Sequence, residues 1–350
     1  MNFFDPNAAD REPFVAGDQA SRLRDLFRAR INGPDDAALP ARRRTPIFAI
    51  TSGKGGVGKT NIAVGLCTAL APDHSVTLVD ADLGMANADV LCGVSVHRRL
   101  HHALPAPDGP IHGRVGAHAS GDADLASLRV PTPLGFSLVP GSVGVSRVTQ
   151  LAPAEQRSLL RGLAAVESRS DAIVIDTGAG ISPGVFAFLD VADVVLVVAT
   201  PEPTSIADAY ALIKCYCTRP HHASHAAPAM HPGRTAAPRL RLVVNQAATD
   251  EQGQVVHGRI AKVCREFLKL DLPLAAVIHK DPQVPEAVMA RTSVVSAAPR
   301  CLASGEIRHL AQSLAREWIV PPTAVASTRP TPLTSRLAAW RRAFGRGRTG

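Results

Sequence analysis

The segment Gly53-Lys54-Gly55-Gly56-Val57-Gly58-Lys59-Thr60 has the spacing GxxxxGK[ST] and stands between a short apolar run, IFAI at 47–50, and an apolar helical stretch, NIAVGLCTALA. Such a set can bind a nucleoside triphosphate. Its glycines let backbone N–H groups wrap phosphate oxygens, and the helix N-terminus adds partial positive charge. Lys59 is then spaced to reach the β- and γ-phosphates and the Thr60 hydroxyl to ligate Mg²⁺, with Asn61 following in the first turn of the helix. Lys54 is a second lysine where such a loop needs one. Asp80 and Asp82 close the run VTLVDAD, and Asp176 closes AIVIDT. Ligands of open α/β sheets sit outside the carboxyl ends of the strands. The three carboxylates therefore converge on the phosphate loop, where they can hold Mg²⁺ and orient water. Helix capping or loop solubility would explain them without chemistry. A strong base is not required, because phosphoryl transfer depends on positioning and charge stabilisation.

The elements that must position these groups follow from the same pattern. IFAI, VTLVD, FSLVP (136–140), AIVIDT, VVLVVAT (194–200) and LRLVVN (240–245) are continuous apolar runs separated by helical stretches. Continuous rather than alternating runs suit strands buried on both faces, which predicts a doubly wound α/β fold with a mainly parallel sheet. Residues 97–130 and 217–239, rich in His, Ala, Pro and Gly, interrupt the rhythm and read as excursions. A last helical stretch is expected near Ile307 to Trp318. In TPEPTSIADAY, Ser205 and Asp208 have capping-box-like spacing, which predicts helix initiation there.

The whole chain bounds these readings. With 350 residues, 46% hydrophobic and 4% aromatic, it can bury one substantial core, so one large domain with appendages is expected, or two domains. It has no run of about 18 apolar residues, and the start MNFFDPNAADREPF lacks a basic-then-apolar pattern, so the expected location is the cytoplasm. Six dispersed cysteines fit reduced thiols. Cys215 and Cys217, followed by His221, His222 and His225, match no common zinc spacing. The net charge of +8 favours acidic partners without choosing between lipid and nucleic acid.

KGGVGKT with the extra lysine resembles the deviant Walker A ATPases of the MinD/ParA superfamily, and DADLGMANADVLCG, IDTGAGIS and TPEPTSIADAYALIK resemble its FlhG/FleN branch, which controls flagellar number and placement. The resemblance covers about Pro46 to Trp318 outside the two excursions. It implies an ATP-dependent homodimer in which Lys54 reaches across to the partner's phosphates, so that one subunit is an incomplete catalyst. It further implies phosphate and Mg²⁺ binding by Lys59 and Thr60, positioning of the hydrolytic water by Asp82, and support of the metal by Asp80 and Asp176. Asn87 matches a switch asparagine, and Asn245 one that reads the adenine edge. An amide offers adenine a donor and an acceptor together, although a strand-end cap would explain Asn245 equally well. The helix after TPEPTS is placed near the dimer surface.

The two ends carry separate expectations. Residues 1–45, polar and proline-punctuated, read as a mobile arm in which Asp18-Gln19-Ala20-Ser21-Arg22-Leu23-Arg24 could open a short helix too small to be stable alone. The segment is similar to the DQAxxLR element with which FlhG proteins stimulate the GTPase FlhF, which implies that Gln19 orients water beside the partner's nucleotide and that Asp18, Ala20, Leu23 and Arg24 present it. After the ATPase domain at 46–320, residues 321–332 read as a proline-rich linker. In the segment 333–346, Leu333, Leu337, Trp340 and Phe344 fall within an arc of about 60° on a helix, edged by arginines. This stripe suits an anionic membrane surface, so the expected location includes reversible attachment to the inner membrane. A flagellar transcription regulator or basal-body protein is a further expected partner. Rival readings are a partition ATPase coating DNA through a basic surface and a non-hydrolysing adaptor. The clustering of many arginines in the tails and the retention of Lys54, Asp82 and Asp176 speak against both.

Overall fold

The computed structural model describes residues 45–82, 84–103, 125–142, 162–219 and 239–319. The expected activator residues Asp18 to Arg24, the linker, the membrane residues Leu333, Leu337, Trp340 and Phe344, and His221, His222 and His225 lie outside them.

Among the described residues, eight strands form one sheet: β1 (Ile47–Ser52), β2 (Val76–Ala81), β3 (Val130–Pro131), β4 (Ser137–Val139), β5 (Ala172–Ala179), β6 (Val194–Ala199), β7 (Leu240–Ala247) and β8 (Leu274–His279). Their order is β3-β4-β2-β5-β1-β6-β7-β8, and every pair is parallel except β3 with β4. The mainly parallel α/β fold expected from the apolar runs is the fold observed. β1, β2 and β6 are buried at every position, as double-sided helix cover requires.

The α-helices whose bounds lie within the described residues are α1 (Lys59–Leu70), α2 (Ala88–Leu91), α3 (Pro183–Val191), α4 (Pro203–Cys217), α5 (Asp250–Leu268), α6 (Gln283–Met289), α7 (Val294–Ala297) and α8 (Leu302–Leu314). The core joins the sheet to α1, α7 and α8 through Phe48, Ile50, Ile62, Leu66, Val294, Ile307 and Leu314.

Two elements escaped the sequence. β8 begins after a proline and contains two alanines, LAAVIH, and among the described residues it pairs only with β7, so most of its residues are half-buried. A half-covered edge strand need not show the continuous apolar run of a central one. β3 is two residues long. The first interruption is also narrower than 97–130, because Leu100, Leu125 and Leu128 pack into the core from 3₁₀ turns at Leu100–Ala103 and Leu125–Leu128.

The expected initiation of α4 by Ser205 is corrected. The helix starts three residues earlier, with Pro203 in its first turn and Glu202 rather than Ser205 at the N-cap. Ser205 lies inside that turn, where its Oγ accepts the Thr200 N–H at 2.9 Å. The fixed φ of proline suits the first turn of a helix, which explains the earlier start.

Candidate nucleotide site at the carboxyl edge of the sheet

β1, β2 and β5 are neighbours, so their carboxyl ends bring Gly53–Thr60, Asp80, Asp82 and Asp176 together, as the sequence predicted. The phosphate loop runs from the end of β1 into α1. Gly58 is the N-cap of α1 with φ 92°, and Gly56 has φ 77°. Both values lie in the left-handed region that favours glycine. Gly53 is required by packing instead: a Cβ there would lie 2.1 Å from the Asp208 carbonyl oxygen of α4. Val57 is buried, whereas Gly55 and Gly56 are exposed, which leaves their backbone accessible to a ligand. Thr60 and Asn61, in the first turn of α1, are half-buried.

Lys59 is buried and its pKa is lowered, chiefly by loss of water, with Asp176 and then Asp82 opposing that shift. Its ammonium therefore faces the carboxylates from inside the loop. Lys54 behaves differently. Its Nζ donates to Glu202 Oε2 at 2.6 Å and to Thr204 Oγ1 at 3.1 Å, at the start of α4, and its side chain is 39% exposed. One lysine belongs to the pocket; the other is held at the surface by its own subunit.

Asp80 and Asp176 face each other across β2 and β5, both almost fully buried. The Asp80 carboxylate staples the loop that follows: Oδ1 accepts the Asp82 N–H and Oδ2 the Ala88 N–H, each at 3.1 Å. Asp82, at the edge of the site, accepts the Gly84 and Met85 N–H groups on Oδ1 at 3.2 and 3.0 Å. Asp176 accepts a hydrogen bond from the Thr60 side chain, while its Oδ1 is buried with no hydrogen-bond partner among the described residues. Burial, followed by mutual repulsion, raises Asp80 well above the usual carboxylate range. Burial also raises Asp176, against the pull of Thr60 and Lys59.

An orphaned, buried carboxylate oxygen beside a hydroxyl and a second carboxylate is the oxygen-rich, anionic setting that a hard divalent cation fits. Mg²⁺ therefore fits Thr60 and Asp176, with Asp80 behind them. Asp80 already spends both oxygens on backbone N–H groups, so its visible work is to hold the loop.

Asn87 is exposed at the N-cap of α2, and its side chain makes no capping bond. Asn245, at the end of β7, lies directly against the phosphate loop. Its Nδ2 donates to the Val57 carbonyl at 2.8 Å, and a Cβ on Gly58 would lie 2.4 Å from that nitrogen. One of the two Nδ2–H donors is thus used within the protein, and the second, with Oδ1, remains for a ligand. Gln246, the next residue, has φ 60° at a β-bulge. Glu202 and Thr204 as holders of Lys54 were not foreseen, since a separation of 148 residues leaves no local sequence signal.

All six cysteines are free, and burial pushes Cys217 up to about 11 and Cys92 up to about 12. These are inert thiols. Among the described residues no helix is long and apolar enough to cross a membrane.

Comparison with known proteins agrees with this geometry. Residues 48–294 match the CobQ/CobB/MinD/ParA nucleotide binding domain. The chain is 35% identical over 276 residues to the antiactivator FleN of Pseudomonas aeruginosa, covering 79% of this chain and 88% of that protein. It is 32% identical over 295 residues to the flagellum site-determining protein YlxH of Helicobacter pylori, covering 84% and 88%. The fold is also that of the septum site-determining protein MinD of Pyrococcus horikoshii, solved with Mg-ADP, at a TM-score of 0.57 and 24% identity over 78% of this chain and 97% of that one. With the phosphate loop, the paired strand-end aspartates and these relatives in agreement, the chain belongs to the CobQ/CobB/MinD/ParA nucleotide-binding family and is an ATPase of FlhG/FleN type.

Proposed function

We propose that this ATPase is a dimerising switch that regulates the number or placement of flagella, on the membrane when bound to ATP and released after hydrolysis. The observation that carries the dimer is Lys54. Lys59 already supplies the cation within the loop, whereas Lys54 sits half-exposed on Glu202 and Thr204, available to a second subunit. In this reading ATP brings two subunits face to face, and each Lys54 leaves its own Glu202 for the partner's phosphates.

Within each subunit Lys59 neutralises the β- and γ-phosphates and the loop N–H groups fix their orientation. Thr60 and Asp176, with Asp80 behind them, would hold Mg²⁺, which would supply charge neutralisation at the phosphates. Asp82 orients the attacking water through the oxygen that its turn leaves free. Asn87, exposed at the mouth of the same loop, contacts the partner. Asn245 offers Oδ1 to the adenine amino group. One Nδ2–H is given to Val57, and the other, with Oδ1, offers adenine a donor and an acceptor together, the acceptor meeting adenine N6–H where guanine would place O6.

The wider role draws on the relatives' names, an antiactivator in one case and a flagellum site-determining protein in the other. A flagellar transcription regulator is accordingly one partner. The arm at 18–24 supports stimulation of an FlhF-type GTPase, and the stripe at 333–344 supports attachment to the cytoplasmic face of the inner membrane. Four apolar side chains offer on the order of 6 kcal/mol at most, and each nearby arginine about 1, before the cost of ordering the helix. One copy is a weak anchor and two on a dimer gain avidity.

Cosedimentation with anionic vesicles tests the switch. Binding should require ATP and residues 333–346; ATP-dependent binding to DNA without lipid binding would favour a partition role instead. A peptide spanning 15–30 should accelerate GTP hydrolysis by the FlhF-type partner, and a Gln19→Ala peptide that works equally well would remove the activator role.

A further inference from the structure

Arg99 lies outside every motif that the nucleotide site uses, yet it ties down the loop that carries Asp82. The described residues of that loop, 82 and 84–88, are tied to the Asp80 carboxylate through the N–H groups of Asp82 and Ala88. The next residue, Asp89, is 5% exposed. Its Oδ2 accepts Arg99 Nη2 at 2.6 Å. Arg99 Nη1 donates to the Gly141 carbonyl at 3.3 Å.

The arginine itself is anchored. Its backbone N–H meets His102 Nδ1 at 3.0 Å, and the Leu100 N–H meets the Pro140 carbonyl at 2.8 Å. Gly141, just past β4, presses on the loop from behind: a Cβ there would lie 2.5 Å from the Ala86 Cβ and 2.7 Å from the Asp80 carbonyl oxygen. Asp80, the loop, Asp89, Arg99 and Gly141 thus form a closed ring of contacts around the segment.

From this ring we infer that Arg99 is a positioning residue for ATP hydrolysis, holding the segment between Asp80 and Asp89 so that Asp82 meets the attacking water. The inference rests on the assignment of that water to Asp82. The Arg99 guanidinium bonds Asp89 and Gly141 rather than the phosphate loop, Thr60 or Asp176, so its effect must pass through the loop. The physical lever is Asp89. A carboxylate buried to this degree is tolerated because a guanidinium bonds it; without that partner it must seek water, and the chain from Ala88 to Asp89 moves with it. Ala88 is bonded to Asp80 Oδ2, so the displacement is delivered to the loop rather than absorbed elsewhere. A misplacement of about 1 Å at a catalytic group can cost roughly a hundredfold in rate. Nucleotide binding, which uses Lys59 and the loop glycines, has no reason to change.

The test compares the full-length protein with Arg99→Met, Arg99→Lys and Asp82→Asn, measuring kcat at saturating ATP-Mg, ADP affinity and thermal melting. Arg99→Met should lower kcat by roughly ten- to a hundredfold while ADP affinity stays within about threefold. Arg99→Lys, which restores a single charged contact to Asp89, should recover part of that loss. An unchanged kcat in Arg99→Met would overturn the inference, as would parallel loss of kcat and ADP affinity, the mark of a purely structural residue. If Arg99→Met does not fold, the lysine variant decides alone: reduced kcat with retained ADP affinity supports the role, and wild-type kcat overturns it. Asp82→Asn keeps the two assignments apart. Should it hydrolyse ATP normally, the Asp82 assignment fails; should it be inactive while Arg99→Met is normal, only the positioning role fails.

Discussion

Replacing Asp176 by asparagine should stabilise the metal-free, nucleotide-free protein, and the gain should grow with pH. Asp176 and Asp80 occupy facing positions on neighbouring strands, which lie about 5 Å apart. At an effective dielectric of about 20, two full charges at that distance repel by about 3 kcal/mol, equivalent to roughly two pK units. Burial adds to this, and both groups are raised above the ordinary carboxylate range, burial being the larger cause in each case. The unfolded chain, with normal carboxyls, loses its protons at lower pH than the folded one. The stability tied to the protonated pair is therefore complete below about pH 4 and lost as pH rises through the elevated folded values. Asparagine removes one charge and nearly preserves shape. Relative to wild type, the variant should gain up to about 1.4 kcal/mol per pH unit while the pair is titrating, levelling off near 3 kcal/mol. Thermal melting of both proteins in EDTA between pH 5 and 8.5 reads this difference, and using the difference cancels every other titrating group. A gap that stays flat or narrows with rising pH would refute the claim that these carboxylates repel each other in the empty site. The same variant should lose the Mg²⁺ dependence of nucleotide binding.

Three further outcomes are expected. Glu202→Gln frees Lys54 from an exposed pair worth about 0–1 kcal/mol; two such pairs per dimer give at most about 2 kcal/mol, a roughly 30-fold tighter ATP-bound dimer by sedimentation, and weaker association would contradict it. Asn245→Ala removes the Val57 contact and the base acceptor together, so ATP affinity should fall about tenfold and the preference for ATP over GTP should collapse in competition with a fluorescent nucleotide. Gly58→Ala places a methyl group 2.4 Å from Asn245 Nδ2 at φ 92°, and calorimetry should detect no nucleotide binding to an otherwise folded protein.

How much of this was legible in the sequence depends on the range of the interaction. The phosphate loop was readable because its glycines serve backbone conformations fixed within eight residues. The central strands were readable because burial on both faces writes itself as an unbroken apolar run. β8 was not, since an edge strand with one neighbour tolerates LAAVIH, which reads equally well as helix or loop. The aspartates could be placed on one edge from strand ends alone, but their division of labour could not. That Asp80 staples the loop while Asp176 keeps an orphan oxygen depends on which backbone N–H groups come within 3.1 Å. Ser205 misled because capping spacing recurs wherever a helix starts, and Pro203 set the start first. Pairings such as Lys54 with Glu202, or Asp89 with Arg99, join residues that only the folded sheet or a turned-back loop brings together.

The most direct test of the central claim, that Lys54 acts across a dimer, mixes two inactive proteins. Lys54→Ala lacks the lysine proposed to bridge and Asp82→Ala the carboxylate proposed to position water. A heterodimer of the two contains one complete site if Lys54 works in the partner and none if it works in its own subunit. With random pairing, half the dimers are mixed and each has one of two sites intact, so the mixture should recover up to about a quarter of the wild-type ATPase rate. A mixture as inactive as its separate components would contradict the cross-subunit role of Lys54.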